Sequence, residues 1–106
     1  MKLRLHGNSL RLRLSQRDAT SLLRTGCVEE FVQFAPGLRL RYAIESSSTL
    51  DAPRADFTNN CILVLLPRRQ VDAWLTSDEI GISAEQGGGT GPALLIEKDF
   101  RYLFTE

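Results

Sequence analysis

A chain of 106 residues, 42% hydrophobic and 25% charged, has the make-up of an ordinary globular protein. That length suits one compact domain over residues 1–106 and is too short for two independent cores. The formal charge of zero is unevenly spread: residues 1–50 carry eight basic against four acidic side chains and residues 51–106 carry five against nine, which excludes the uniformly basic make-up of a generic nucleic-acid binder.

The longest apolar run, Cys61 to Leu66, falls far short of the roughly 20 residues that span a bilayer, so no membrane partner is expected. The opening alternates Lys2-Leu3-Arg4-Leu5-His6 and lacks the apolar segment of a signal peptide, which makes the cytoplasm the expected location. Cys27 and Cys61 have no partner at Cys-x-x-Cys spacing and share the chain with a single histidine. Reduced, partly buried thiols are expected, with no metal and no cofactor.

The first elements form a hairpin. Leu3 and Leu5 alternate with Lys2, Arg4 and His6, and after Gly7-Asn8 the leucines 10, 12 and 14 alternate with Arg11 and Arg13. Period-two alternation places the leucines on one face and the basic groups on the other. Gly7 and Asn8 tolerate the positive φ of a tight turn. A short helix follows, with Ser15 and Asp18 spaced as a capping box, a stripe of Ala19, Leu22 and Leu23, and Gly26 as its stop. Ten or so residues make a marginal helix, so the stripe must pack on the sheet.

Val28 to Phe34 reads as a strand with apolar groups on both faces, which leaves its register ambiguous. Ala35-Pro36-Gly37 is a turn, and Leu38, Leu40, Tyr42 and Ile44 alternate in a clear strand. Ser46 to Pro53 is a linker. The second half repeats this order: Ala55 and Phe57, a turn at Asn59-Asn60, the run Cys61–Leu66, a helix opened by Pro67 with the stripe Val71, Trp74 and Leu75, a strand beginning at Ile80 and Ile82, a glycine-rich connection through Gly87 to Gly91, and a last strand with Leu94 and Ile96.

Two strand-strand-helix-strand-strand units therefore occupy residues 1–50 and 51–106, displaced by 52 positions (Leu3 falls on Ala55, Asn8 on Asn60, Leu22 on Trp74, Val28 on Ile80). The units differ at one place. Arg11 and Arg13 of the first hairpin correspond to Leu63 and Leu65 of the second, which is apolar on both faces as a strand covered on both sides would be. Something is expected to pack on Leu63 and Leu65 there: a helix, the other repeat or, if nothing in this chain covers them, a second copy in self-association.

The opening Met1-Lys2-Leu3-Arg4-Leu5 with Gly7-Asn8-Ser9-Leu10-Arg11-Leu12-Arg13-Leu14, the segment Ser77-Asp78-Glu79-Ile80-Gly81-Ile82 and the closing Ile96-Glu97-Lys98-Asp99-Phe100 resemble a family of short bacterial proteins classed as a domain of unknown function. The resemblance implies a cytoplasmic bacterial protein and carries over no site.

Among candidate functional residues, the basic face of Lys2, Arg4, Arg11 and Arg13, beside His6 and extended by Arg39 and Arg41, would suit a phosphate-bearing or other polyanionic ligand. The plainer reading is a solvated sheet face whose arginines pair with Glu29, Glu30 or Glu45. Glu97, Lys98, Asp99 and Arg101, with Glu85 opposite, offer an acid and a base but show no sign of the desolvation catalysis needs. The glycine run lacks the Gly-Lys-Ser/Thr ending and following helix of a phosphate loop. Trp74 reads as core.

These observations predict an α+β domain of about eight mostly antiparallel strands and two short helices in pseudo-twofold arrangement, with a closed or half-closed barrel as the preferred form. The function expected first is a non-enzymatic binding or assembly module of unknown partner, with a homodimer as one form of it. The alternative is a binder of a phosphate-bearing ligand or nucleic acid through the basic hairpin face. A small enzyme comes third.

Overall fold

In the computed structural model, residues 1–85 and 91–99 are described. The first unit comprises β1 (Lys2–His6), β2 (Ser9–Leu14), α1 (Gln16–Thr25), β3 (Cys27–Ala35) and β4 (Leu38–Ser47). The second comprises β5 (Arg54–Thr58), β6 (Cys61–Pro67), α2 (Arg68–Leu75), β7 (Gly81–Ala84) and β8 (Ala93–Lys98). The alternating segments become strands and the apolar stripes become helices, in the expected order.

The units exchange hairpins. One four-stranded sheet has the order β1-β2-β8-β7 and the other β3-β4-β6-β5, so each sheet takes one hairpin from each unit. The hairpins are antiparallel internally, and the central ladders β2–β8 and β4–β6 are parallel. Ladder positions correspond closely: Ser9 pairs with Ala93 and Cys61 with Arg41, and both 61 − 9 and 93 − 41 equal 52. No ladder joins the two sheets among the described residues, so the strands form a two-sheet sandwich around one core.

That core unites Leu10, Leu12, Leu14 and Ile96 of one sheet with Ile44, Ile62, Val64 and Leu66 of the other, and Leu22, Val71 and Trp74 from the helices. Each such side chain contributes about 1.5–3 kcal/mol on burial. Trp74 is fully buried, and its indole Nε1 donates to the Ile80 carbonyl at 3.0 Å. The expectation that Trp74 belongs to the core is met.

One correspondence shifts. Val28 pairs with Ile44, and it is Ile82, not Ile80, that pairs with Ile96. Five residues separate α2 from β7 against one between α1 and β3, and Ile80 stands outside the strand at 69% exposure while Ile82 is buried. Pro67 likewise ends β6 and sits at the N-cap of α2, one place before the helix proper.

Local chemistry sets the ends of α1. Ser15 and Asp18 form the reciprocal capping box, and Gly26 closes the helix at φ 79° with its N–H on the Leu22 carbonyl. The Met1 amino group bridges Asp18 and Glu30, tying the start of β1 to α1 and β3.

α1 follows β2 and α2 follows β6, and the two helices touch, with the Arg68 guanidinium donating to the Leu23 carbonyl at 3.1 Å. Both helices thus cover the end of the sandwich where β2 and β6 finish. The turns at Gly7-Asn8 and Asn59-Asn60 lie at the opposite end, which no helix of the described residues covers.

Candidate docking surface

At that uncovered end the two β-turns flank a hollow of about 490 Å³. Its apolar lining comes from Leu5, Leu10, Ala55, Phe57, Ile62 and Pro92. Leu5 pairs with Leu10 across the first hairpin and Phe57 with Ile62 across the second, so corresponding residues of the two units face one space. Leu10 and Ile62 are buried at its floor, whereas Leu5 and Phe57 are 62% and 67% exposed at its lips. The volume lies within the roughly 300–1,000 Å³ usual for binding clefts.

The β3–β4 hairpin projects past the same end. β4 runs parallel to β6 and its ladder with β6 begins at Arg41, so Leu38 to Leu40 and their β3 partners overhang by about 10 Å at roughly 3.4 Å per residue. The overhang carries Phe34 at 66% and Leu38 at 52% exposure, with Val32 also exposed, while Phe31, opposite Arg41, stands at its base on the outer face of β3. It is braced rather than loose. Gln33 donates to the Ala35 carbonyl at 2.6 Å, Arg39 Nε donates to Gln33 Oε1 at 2.9 Å, and the Arg39 guanidinium stacks 3.9 Å above the Phe31 ring. Gly37 at φ 76° makes the turn, a conformation that an L side chain enters only with strain.

The sequence-derived basic face is assembled only in part. Lys2, Arg4, Arg11 and Arg13 do share the outer side of the β1–β2 hairpin, with Arg4 opposite Arg11 and Lys2 opposite Arg13. Glu97 on the neighbouring β8 accepts from Arg11 Nε at 2.7 Å and Arg13 Nε at 3.3 Å, and Lys2 lies 3.5 Å from Asp99. The hydrogen bond from Arg11, against a smaller desolvation penalty, holds the Glu97 carboxyl below its usual range. Arg4 alone of the four has no ion pair among the described residues, beside shallow grooves of about 300 and 370 Å³.

Arg39 and Arg41 do not extend this face. They belong to β4 in the other sheet, where Arg41 pairs with Glu29 and Arg39 covers Phe31. Charge alternation on two strands reads the same whichever sheet each strand joins, which is why the sequence suggested one patch.

Leu63 and Leu65 are half-buried on the outer side of β6, Leu63 between Ala43 and Asp56 and Leu65 between Glu45 and Arg54. Cys27 and Cys61 are unbridged and half-buried on the same sheet, and burial, reinforced by Glu45 and Glu29, pushes the Cys27 thiol up. Glu97, read as a candidate acid, is engaged by two arginines, while Glu85 is exposed. Arg101 and Gly87 to Thr90 lie outside the described residues. No cluster of three or more His, Cys, Asp or Glu side chains is found among the described residues.

The residues that sequence reasoning missed are Leu5, Phe57, Phe34 and Leu38. The available signal was the two-faced apolar character of Phe31 to Phe34, which marks a strand with no single buried side.

A family model matches residues 1–106 from end to end. The chain belongs to the Family of unknown function (DUF7009). Membership in DUF7009 brings no assigned activity or site. Comparison with curated proteins and with solved structures finds no significant match. No helix among the described residues is long and apolar enough to cross a membrane.

Proposed function

We propose that this protein is a non-enzymatic binding module that docks a partner through its uncovered apolar end. The observation that carries the reading is the distribution of exposed large hydrophobic side chains. Five of the seven among the described residues (Leu5, Val32, Phe34, Leu38 and Phe57) belong to the hollow or the overhang, while Phe31 lies on the outer face of β3 beneath Arg39 and Ile80 lies elsewhere. Scattered exposed leucines need no explanation, but a concentration of apolar groups on one surface marks an interaction site. The family resemblance and the two unbridged thiols support a bacterial cytoplasmic setting.

The test is titration, with a neutral apolar fluorophore such as Nile red, of protein dilute enough to be monomeric. Enhanced emission is expected with the wild type and with Arg4→Ala, and its loss with a Leu5→Lys, Phe57→Lys double variant that keeps its circular dichroism. Emission indifferent to those two lip residues would contradict the reading.

One observation favours a second reading, polyanion binding by the outer face of β1 and β2: Arg4 is unpaired among the described residues beside a basic groove. That reading expects heparin or polyphosphate binding that weakens with salt and falls in Arg4→Ala. Glu97 works against it by occupying Arg11 and Arg13.

A further inference from the structure

We propose that the occupant of the open end is a second copy of the chain. The β3–β4 overhang of one copy seats in the Leu5–Phe57 hollow of the other, and the reverse contact forms at the same time about a twofold axis. This rests on the docking reading above and adds the identity of the partner.

The molecule carries a projecting apolar knob and an apolar hollow on the same end, and neither meets its complement among the described residues. No residue of the overhang lines the hollow. Phe34 and Leu38 on one side, and Leu5 and Phe57 on the other, all stay more than half exposed. Because knob and hollow share one end, two copies facing each other satisfy both contacts at once, which closes a dimer instead of propagating a filament. The bracing by Gln33 and Arg39 fixes the knob before binding, so little ordering is left to oppose association.

Charge fits as well. Phe31 to Leu38 contains no charged side chain, and the first charge past the tip is Arg39. Among the described residues the only charged one lining the hollow is Asp56, which pairs with Arg54 at 3.4 Å. Seating the tip therefore keeps Arg39 and the Asp56–Arg54 pair at the rim and buries no charge at the centre, the distribution that specific interfaces adopt. The area is adequate too. A phenylalanine buries about 150–250 Å², so Phe34 and Phe57 of both copies, each about two-thirds exposed, would remove about 400–650 Å² from water. Leu5, Val32 and Leu38 of both copies carry the total towards the roughly 1,000 Å² that a specific interface requires.

The experiment is sedimentation velocity from nanomolar to high micromolar concentration on the wild type, on Phe34→Lys and on Phe57→Glu, each checked for folding by circular dichroism. A concentration-dependent dimer is expected for the wild type, and self-association weakened by more than about tenfold for each variant alone, as for hot-spot truncations. Mixing the two variants is expected to restore a dimer. In the mixture Phe34 of the Phe57→Glu chain enters an intact hollow, while the introduced lysine meets the introduced glutamate. A wild type that stays monomeric, a dimer untouched by either variant, or a mixture no more associated than its parts would each overturn the proposal. Nile red separates the levels. A monomer that still binds the dye through Leu5 and Phe57 removes the second copy and leaves the docking reading, whereas a monomer that binds none removes both.

Discussion

Leu5 and Phe57 hold the same ladder position in the two hairpins, opposite Leu10 and Ile62 respectively, and the four side chains line one hollow at the uncovered end of the sandwich. Each hairpin thus pairs an exposed lip residue with a buried floor residue. The two classes should separate in stability. Leu10→Ala is expected to cost about 2–5 kcal/mol as a core truncation. Leu5→Ala and Phe57→Ala are expected to stay within about 0.5 kcal/mol of wild type. Urea midpoints at constant m-value, taken on protein dilute enough to be monomeric, measure both, and a large loss for Phe57→Ala would make that ring part of the core.

Trp74 is the largest fully buried side chain, and its indole also satisfies the Ile80 carbonyl. Trp74→Ala is expected to lower stability by about 3–5 kcal/mol. Ile80→Ser, which removes an exposed side chain but keeps that carbonyl, should change it by less than about 0.5 kcal/mol. Thermal or denaturant unfolding of the pair checks the assignment of Ile82, and not Ile80, to the core.

Gly81 opens β7 against Glu97, and a Cβ added there would lie 2.6 Å from the Ile96 carbonyl oxygen. Backbone offers no flexible end to move aside. Gly81→Ala is therefore expected to destabilise by about 1–3 kcal/mol, and an unchanged unfolding midpoint would show that the β7–β8 ladder is looser than described.

Glu97 provides a pH signature. Hydrogen bonds from Arg11, then Arg13, depress its folded pKa below the unfolded value. Its contribution is thus fully present above the unfolded pKa and is lost as pH falls through the folded one. Between about pH 6 and pH 2 the wild type should lose more stability than Glu97→Gln, which has no carboxyl to titrate. Equal acid slopes in the two proteins would mean that the arginine pairs contribute nothing to stability.

Local elements were legible because their signals are local. Alternating Leu10-Arg11-Leu12-Arg13-Leu14 gave β2, and Ser15 with Asp18 gave the start of α1. The exchange of hairpins between units was not, because strand partnership joins residues such as Leu14 and Lys98 that share no local pattern. The shift from Ile80 to Ile82 escaped for a different reason: a two-residue displacement preserves period-two alternation, so either isoleucine satisfies the pattern. The hollow needed both units to be placed, since Leu5 and Phe57 each look like an ordinary inward strand residue on their own. Leu63 and Leu65 stood out in the sequence because the first unit carries arginines at the same places; they are half-buried, less exposed than Leu5, Phe34, Leu38 and Phe57.

Methyl NMR of leucine-labelled protein across a dilution series decides between these surfaces most directly. The expected result is that the Leu5 and Leu38 methyl resonances move together with concentration while those of Leu63 and Leu65 stay fixed. Movement of Leu63 and Leu65 with Leu5 and Leu38 unchanged would contradict the open apolar end as the docking surface and return the interface to the outer face of β6.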